Sequence, residues 1–256
     1  MYGGPVYHVP FGDAEAVERQ LDVCYKTGVD VAAVLMEPIQ GEAGAIVPPD
    51  DFWPKLRQIC TAYDVLLIAD EVQTGLGRTG ALWGVDHWGV APDIMCMAKA
   101  LGGGVMPVGA FCGTAKVWQI MMEPNPFIHT TTTGGSPLAC AAAIAAINVV
   151  LEERLWEQAA EKGAYFKGEI EKLAQQYPGI YDRVTGLGLL IGQHFLNDKI
   201  GYRVAAGLFR RGVLVAGTLN NARVIRIEPP LIITKQQIDT VLDRLADTLA
   251  EVNRTI

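Results

Sequence analysis

Apolar positions along this chain come either as short unbroken runs or at helical spacing, and the two alternate. Val31 to Met36, Val65 to Ala69, Ile94 to Ala98 and Val108 to Gly113 are runs apolar on both faces, the pattern of strands buried within a sheet. Helical repeats lie between them. Asp13 can cap a helix to about Lys26 with Val17, Leu21 and Cys24 on one face, and Gly28 closes it. Pro48, Pro49 and Asp50 open a second, with Phe52, Leu56, Ile59 and Tyr63 aligned. Strands alternating with helices predict an α/β fold with a mostly parallel sheet.

The remaining pattern changes character. Residues 1–12 read as an irregular entry, 75–93 as a glycine-rich loop and Pro124 to Gly135 (PNPFIHTTTTGG) as another loop. Pro137 opens an alanine-rich helix to about Leu151. A longer helix follows from about Leu155 to Tyr177, with Phe166, Ile170, Leu173 and Tyr177 on one face, and Pro178-Gly179 ends it. Val184 to Phe195, Val213 to Gly217 and Arg223 to Ile233 then read as strands joined by one helix near 201–211. Thr234 and Gln237 form a capping box for a last helix striped by Ile238, Val241, Leu242, Leu245, Leu249 and Val252. A boundary near residue 155 divides a larger unit, 1–154, from a smaller α+β unit, 155–256.

Composition narrows the class. In 256 residues, half are hydrophobic and 19% charged, which suits a packed globular protein and excludes disorder. The net charge of −7 comes from interspersed acids and bases, without the basic cluster that nucleic acid requires. No apolar run reaches membrane-spanning length. Five scattered cysteines, Cys24, Cys60, Cys96, Cys112 and Cys140, lack metal-ligand spacing and read as reduced thiols of a cytoplasmic protein.

The chemistry concentrates in LIADEVQTGLGRTG and DIMCMAKALGGG. One apolar run ends on Asp70 and another on Lys99. The carboxyl ends of parallel strands are where such sheets hold ligands. Alone, a strand-end acid serves equally well as a loop cap, and a lone strand-end lysine more commonly snorkels to water. Buried behind an apolar run, however, an ammonium is costly unless paired or neutralised, and a desolvated lysine becomes a nucleophile towards carbonyls. An acid and an amine on neighbouring strands are what pyridoxal phosphate needs: a lysine for its Schiff base and a carboxylate for its pyridinium nitrogen.

Those two segments resemble the signature of class III, fold-type I pyridoxal-phosphate-dependent aminotransferases. EPIQGEAG (37–44), HTTTTGGSPLACAAA (129–143) and AGTLNNARVIRIEPPL (216–231) match the same family in the same order, and the last two are most similar to its putrescine-acting members. The resemblance implies part of a large domain with a mostly parallel sheet, followed by a small C-terminal α+β domain. It implies that Lys99 forms the Schiff base and then moves the proton, that Asp70 pairs with the ring nitrogen, and that Gln73 hydrogen-bonds the phenolic oxygen. Thr132 would bind the phosphate from the partner subunit of a homodimer. Arg226 would clamp the carboxylate of 2-oxoglutarate, with Glu37 pairing with it when the amine donor has none; a structural bridge between domains is the alternative.

Two positions depart from the family, Thr133 where an aromatic residue is usual and Ser136 where asparagine is. The family's chains are also longer, and their N-terminal half carries the phosphate loop and the aromatic residue stacked on the ring. The resemblance therefore implies the C-terminal portion of such an enzyme. Transamination of a diamine or ω-amino acid, with putrescine the favoured donor, is the expected activity. The alternatives are a non-catalytic fragment, an enzyme of ornithine, 4-aminobutyrate or acetylornithine, and an aminomutase.

Overall fold

The computed structural model describes residues 4–126 and 129–255. The first three residues of the predicted entry and Phe127 and Ile128 of the predicted loop lie outside these. A four-stranded sheet comes first: β1 (Ala33–Met36), β2 (Leu66–Asp70), β3 (Ile94–Met97) and β4 (Ala110–Gly113), in that spatial order. β1, β2 and β3 are parallel, while β4 runs antiparallel to β3 with Met97 opposite Ala110. The link between β3 and β4 holds only a short 3₁₀ turn, Lys99–Gly102, so the chain doubles back instead of crossing over.

Helices α1 (Ala14–Lys26) and α2 (Phe52–Ala62) cover one face. Asp13 caps α1 by accepting the Ala16 N–H at 2.8 Å. Phe52, Trp53, Leu56 and Cys60 of α2 bury themselves against Leu67 and Ala69 of β2. Asp93 fixes the start of β3 to β2, accepting from Leu67 N at 2.8 Å and from Arg57 at 2.7 Å.

Helix α3 (Ala115–Met122) is not foreshadowed by the pattern: it is apolar around most of its circumference and buries none of its residues, so it has no one-sided stripe. Helix α4 (Pro137–Glu152) lays Ala143 and Ile147 on Leu101 and Met97, yet leaves Leu138 and Ile144 exposed.

Helix α5 (Leu155–Gln176) leads to a second sheet, β5 (Tyr181–Leu187), β6 (Leu190–Phe195), β7 (Ala216–Gly217) and β8 (Val224–Ile227), ordered β5-β6-β8-β7 and wholly antiparallel. The predicted strand 184–195 is thus a hairpin, turned at Gly188 with φ +55°. The predicted strand 223–233 stops at Ile227, since Pro229 and Pro230 cannot donate to a ladder. Helices α6 (Asp198–Arg210) and α7 (Lys235–Asn253) complete this layer, α7 behind the predicted Thr234–Gln237 capping box. Phe166, Ile170, Ile191, Phe195, Val204, Leu245 and Leu249 form its core.

Among the described residues, no helix is long and apolar enough to cross a membrane.

Candidate active site

The three parallel strands end level with one another. Met36 lies opposite Ala69, and Asp70 opposite Cys96. Glu37, Asp70 and Lys99 therefore project from one edge. Asp70 is half-buried and accepts the Val72 N–H at 3.1 Å; among the described residues it enters no ion pair. Lys99 has φ +46°, a left-handed conformation that costs a non-glycine residue about 1–3 kcal/mol and so is held by its surroundings.

Lys99 is exposed, contrary to the desolvated lysine expected from its apolar run. The reason lies in β3, where only Met97 is buried and the other residues are half-covered. Lys99 borders a cavity of about 330 Å³ lined also by Gln73, Arg78, Met97 and Glu228. Burial pushes the Glu37 carboxyl above its ordinary range; Asp70 and Glu42 add to the shift and Lys99 opposes it. Three carboxylates and one amine thus share a field.

Glu71, the second acid of the DEVQTG run, is structural. It is buried, and it accepts hydrogen bonds from Thr74 Oγ1 at 2.5 Å, Gly84 N at 2.8 Å and Val85 N at 2.9 Å. It folds the following loop over the strand end. From that loop Arg78 donates to the carbonyls of Pro229 (2.6 Å) and Leu189 (3.1 Å), tying it to the second sheet.

Arg226 corrects one expectation. Its Nη1 lies 2.6 Å from Glu42 Oε1, so its partner is Glu42 and not Glu37. Glu37 instead accepts the Gly41 N–H at 2.9 Å. A tight turn separates the two acids, so the five-residue offset sends them different ways. Burial alone would raise the Glu42 pKa, but hydrogen bonds from Leu219 N and Arg226, with the Arg226 and Lys99 charges, hold it below the usual range. Arg226 is nine-tenths buried; its Nη2 reaches Gly217 O at 3.3 Å and its Nε has no partner.

The Gln73 amide donates to Glu228 Oε1 at 2.5 Å, and that carboxylate lies 3.8 Å from Arg226. A Cβ on Gly41 would fall 1.8 Å from Gln73 Oε1, so Gln73 lies directly against the turn that carries Glu42. Thr132 is exposed on the loop before α4. Sequence reasoning missed Glu42 and Glu228. Each stands inside a quoted motif, EPIQGEAG and RIEPPL, and a carboxylate near a buried arginine was the available signal.

The set suits the ring of pyridoxal phosphate. Asp70 is a half-buried carboxylate without a cation, the partner a protonated ring nitrogen requires, and an amine borders the adjoining cavity. The cavity-lining residues include no aromatic side chain for stacking.

Residues 5–249 match the family model for class-III aminotransferases. The chain is 51% identical over 250 residues to a putrescine aminotransferase of Pectobacterium atrosepticum, covering 98% of this chain and 53% of that protein. An ornithine delta-aminotransferase of Plasmodium falciparum superposes with a TM-score of 0.86 at 36% identity, over 97% of this chain and 62% of the other. An acetylornithine aminotransferase of Elizabethkingia anophelis gives 0.86 at 38% identity, over 95% and 62%. The chain thus spans about half the length of the curated relative it matches.

Proposed function

The chain belongs to the class-III aminotransferase family, pyridoxal-phosphate enzymes of fold type I, and from that premise we propose that the complete protein moves the terminal amino group of a diamine, putrescine foremost, to 2-oxoglutarate. The observation that carries this reading is the Glu42–Arg226 pair within the field of Lys99. A guanidinium with its own covering carboxylate serves two kinds of substrate. With Glu42 displaced, Arg226 grips the carboxylate of the acceptor in a bidentate fork. With Glu42 in place, the charge is masked and an amine donor without a carboxylate fits.

Bound pyridoxal phosphate supplies the electron sink for the carbanion at the amine-bearing carbon. Lys99 would hold the cofactor through its Nζ amine and would carry the proton at the donor carbon. Asp70 holds the ring nitrogen protonated. Gln73, which donates to Glu228 in this structure, would hydrogen-bond the phenolic oxygen. Thr132 serves the phosphate of the partner subunit's site, which makes the working unit a homodimer in the cytoplasm. Residues 1–154 belong to the large domain and 155–256 to the small one.

The donor is tested with the complete gene product and pyridoxal phosphate, assaying putrescine, cadaverine, ornithine and 4-aminobutyrate against 2-oxoglutarate. Putrescine is expected to give the highest kcat/KM; a tenfold preference for ornithine would move the enzyme to the group of the Plasmodium structure. The exposure of Lys99 favours a second reading for the 256-residue chain by itself, a fragment without turnover. Cofactor titration with analytical ultracentrifugation separates the two, since a cofactor-binding dimer with turnover rules the fragment out.

A further inference from the structure

Glu42 owes its position to a turn fastened at both ends. Gly44 N donates to Gly41 O at 3.0 Å, and Gln40 and Ile46 exchange two backbone hydrogen bonds of 3.0 Å, so residues 40–46 close with Glu42 near the tip. Glu37 fastens the near end through Gly41 N. The far end is fastened from the second sheet. The Gly44 carbonyl accepts from Thr185 Oγ1 at 2.7 Å and lies 2.9 Å from His194 Nε2, and the two side chains are 2.9 Å apart. A ring nitrogen facing a carbonyl must donate, so His194 carries a proton on Nε2.

This contact admits no slack. A Cβ on Gly44 would fall 2.7 Å from His194 Cε1, and one on Gly192 would fall 2.2 Å from Gly44 O. Gly192 is also the register partner of Arg226 across β6 and β8. The sheet that presents the guanidinium therefore also grips the turn that presents its carboxylate, and the geometry of the pair is set through one rigid ladder.

We propose that Thr185 and His194 are positioning residues for Glu42: by holding the Gly44 carbonyl they keep the carboxylate in reach of Arg226, and so set the balance between substrates with and without a carboxylate at that point. The proposal rests on the reading of Glu42 and Arg226 given above. A loosened turn leaves Arg226 unmasked for part of the time. That disfavours the diamine, whereas glutamate, which displaces Glu42 anyway, loses little.

The test uses the complete gene product loaded with pyridoxal phosphate, comparing the half-reactions with putrescine and with glutamate. Thr185→Val keeps the shape and removes one hydrogen bond, which is roughly a threefold to tenfold effect. The putrescine kcat/KM is expected to fall by that factor relative to glutamate, and Thr185→Ser is expected to restore it. His194→Leu should act in the same direction and His194→Gln, which keeps an N–H, should act less; this second pair decides the matter if Thr185→Val fails to fold. Independently of turnover, hydrogen exchange at Leu219 N–H, bonded to Glu42 at 2.8 Å, should quicken in Thr185→Val and not in Thr185→Ser. Equal losses in both half-reactions, with unchanged exchange at Leu219, would overturn the proposal. Should the wild type turn over neither substrate, the functional reading fails, and the exchange alone decides: acceleration supports the positioning role and no change refutes it.

Discussion

The two sheets of this chain are finished to different degrees. Every residue of β6 and β8 is buried, sealed beneath α5, α6 and α7. On the first sheet, three of the four residues of β4 are exposed, Leu35 of β1 is 62% exposed and Phe111 of β4 36%. The candidate residues Asp70 and Lys99 stand at the strand ends of the open sheet. Arg226, nine-tenths buried, stands on the closed one. The core behind β6 and β8 is thus closed, whereas Asp70 and Lys99 stand on a sheet whose strands leave apolar residues exposed. Substitutions that probe stability and substitutions that probe the proposed chemistry should therefore separate between the two regions.

The largest effects come from opposite ends of that comparison. Phe166, fully buried in the closed core, should cost about 3–5 kcal/mol when truncated to alanine, read as a loss in the urea midpoint. Phe111→Ala, which loses a stack on Trp118 at 5.3 Å between ring centroids, should cost only about 0.5–1.5 kcal/mol. Equal costs at the two phenylalanines would break the comparison. Lys99→Ala should leave the urea midpoint nearly unchanged while lowering kcat of the complete enzyme by roughly 10²–10⁴ and abolishing the visible band of the attached cofactor. A persistent band would sink the assignment of Lys99.

An intermediate effect tests the clamp between the regions. Arg226→Lys replaces a planar fork with a point charge. The KM for 2-oxoglutarate should rise roughly tenfold to a hundredfold, the worth of a charged hydrogen bond, with a smaller change for putrescine. Glu42→Gln should shift the balance towards glutamate, whereas Glu37→Gln, which still accepts from Gly41, should change it far less. If Glu37→Gln reproduced the Glu42→Gln profile, the pairing found here would not be the working one.

The pattern of apolar runs and helical repeats was enough to place β1 to β4 and helices α1, α2 and α4 to α7, helped by signals such as the Asp13 and Thr234 caps. It failed where burial and local sequence part company. Helix α3 has no buried face to leave a period, and Pro229 cuts a longer apolar run at Ile227. In the site, Asp70 and Lys99 were legible as strand ends. The partner of Arg226 was not, because two glutamates share one motif and only the turn at 41–44 decides which of them reaches it. The exposure of Lys99 was hidden for a related reason: an apolar run says that a strand can be covered, and the rest of the molecule determines whether it is.

The smallest effect concerns pH, and it too divides between the regions. Burial holds the pKa of both His87 and His194 below the ordinary histidine value, His87 beside the Thr79 carbonyl in the loop of the open sheet and His194 on the closed one. A native histidine with a lowered pKa refuses a proton that the unfolded chain accepts. The stability it contributes is therefore complete above about pH 6.5 and is lost as pH falls through the native value. Asp93 and Glu42, carboxyls held below their ordinary range, lose their contributions only in a separate and more acid window. Urea midpoints measured from pH 7.5 downwards should fall first in the histidine window. His87→Gln and His194→Gln should each remove part of that fall, and hydrogen exchange in β2 or in β6 should show which sheet each histidine supports. A fall that survives both replacements would mean that the acid sensitivity of this chain comes from groups other than His87 and His194, and that it does not divide between the two sheets along these histidines.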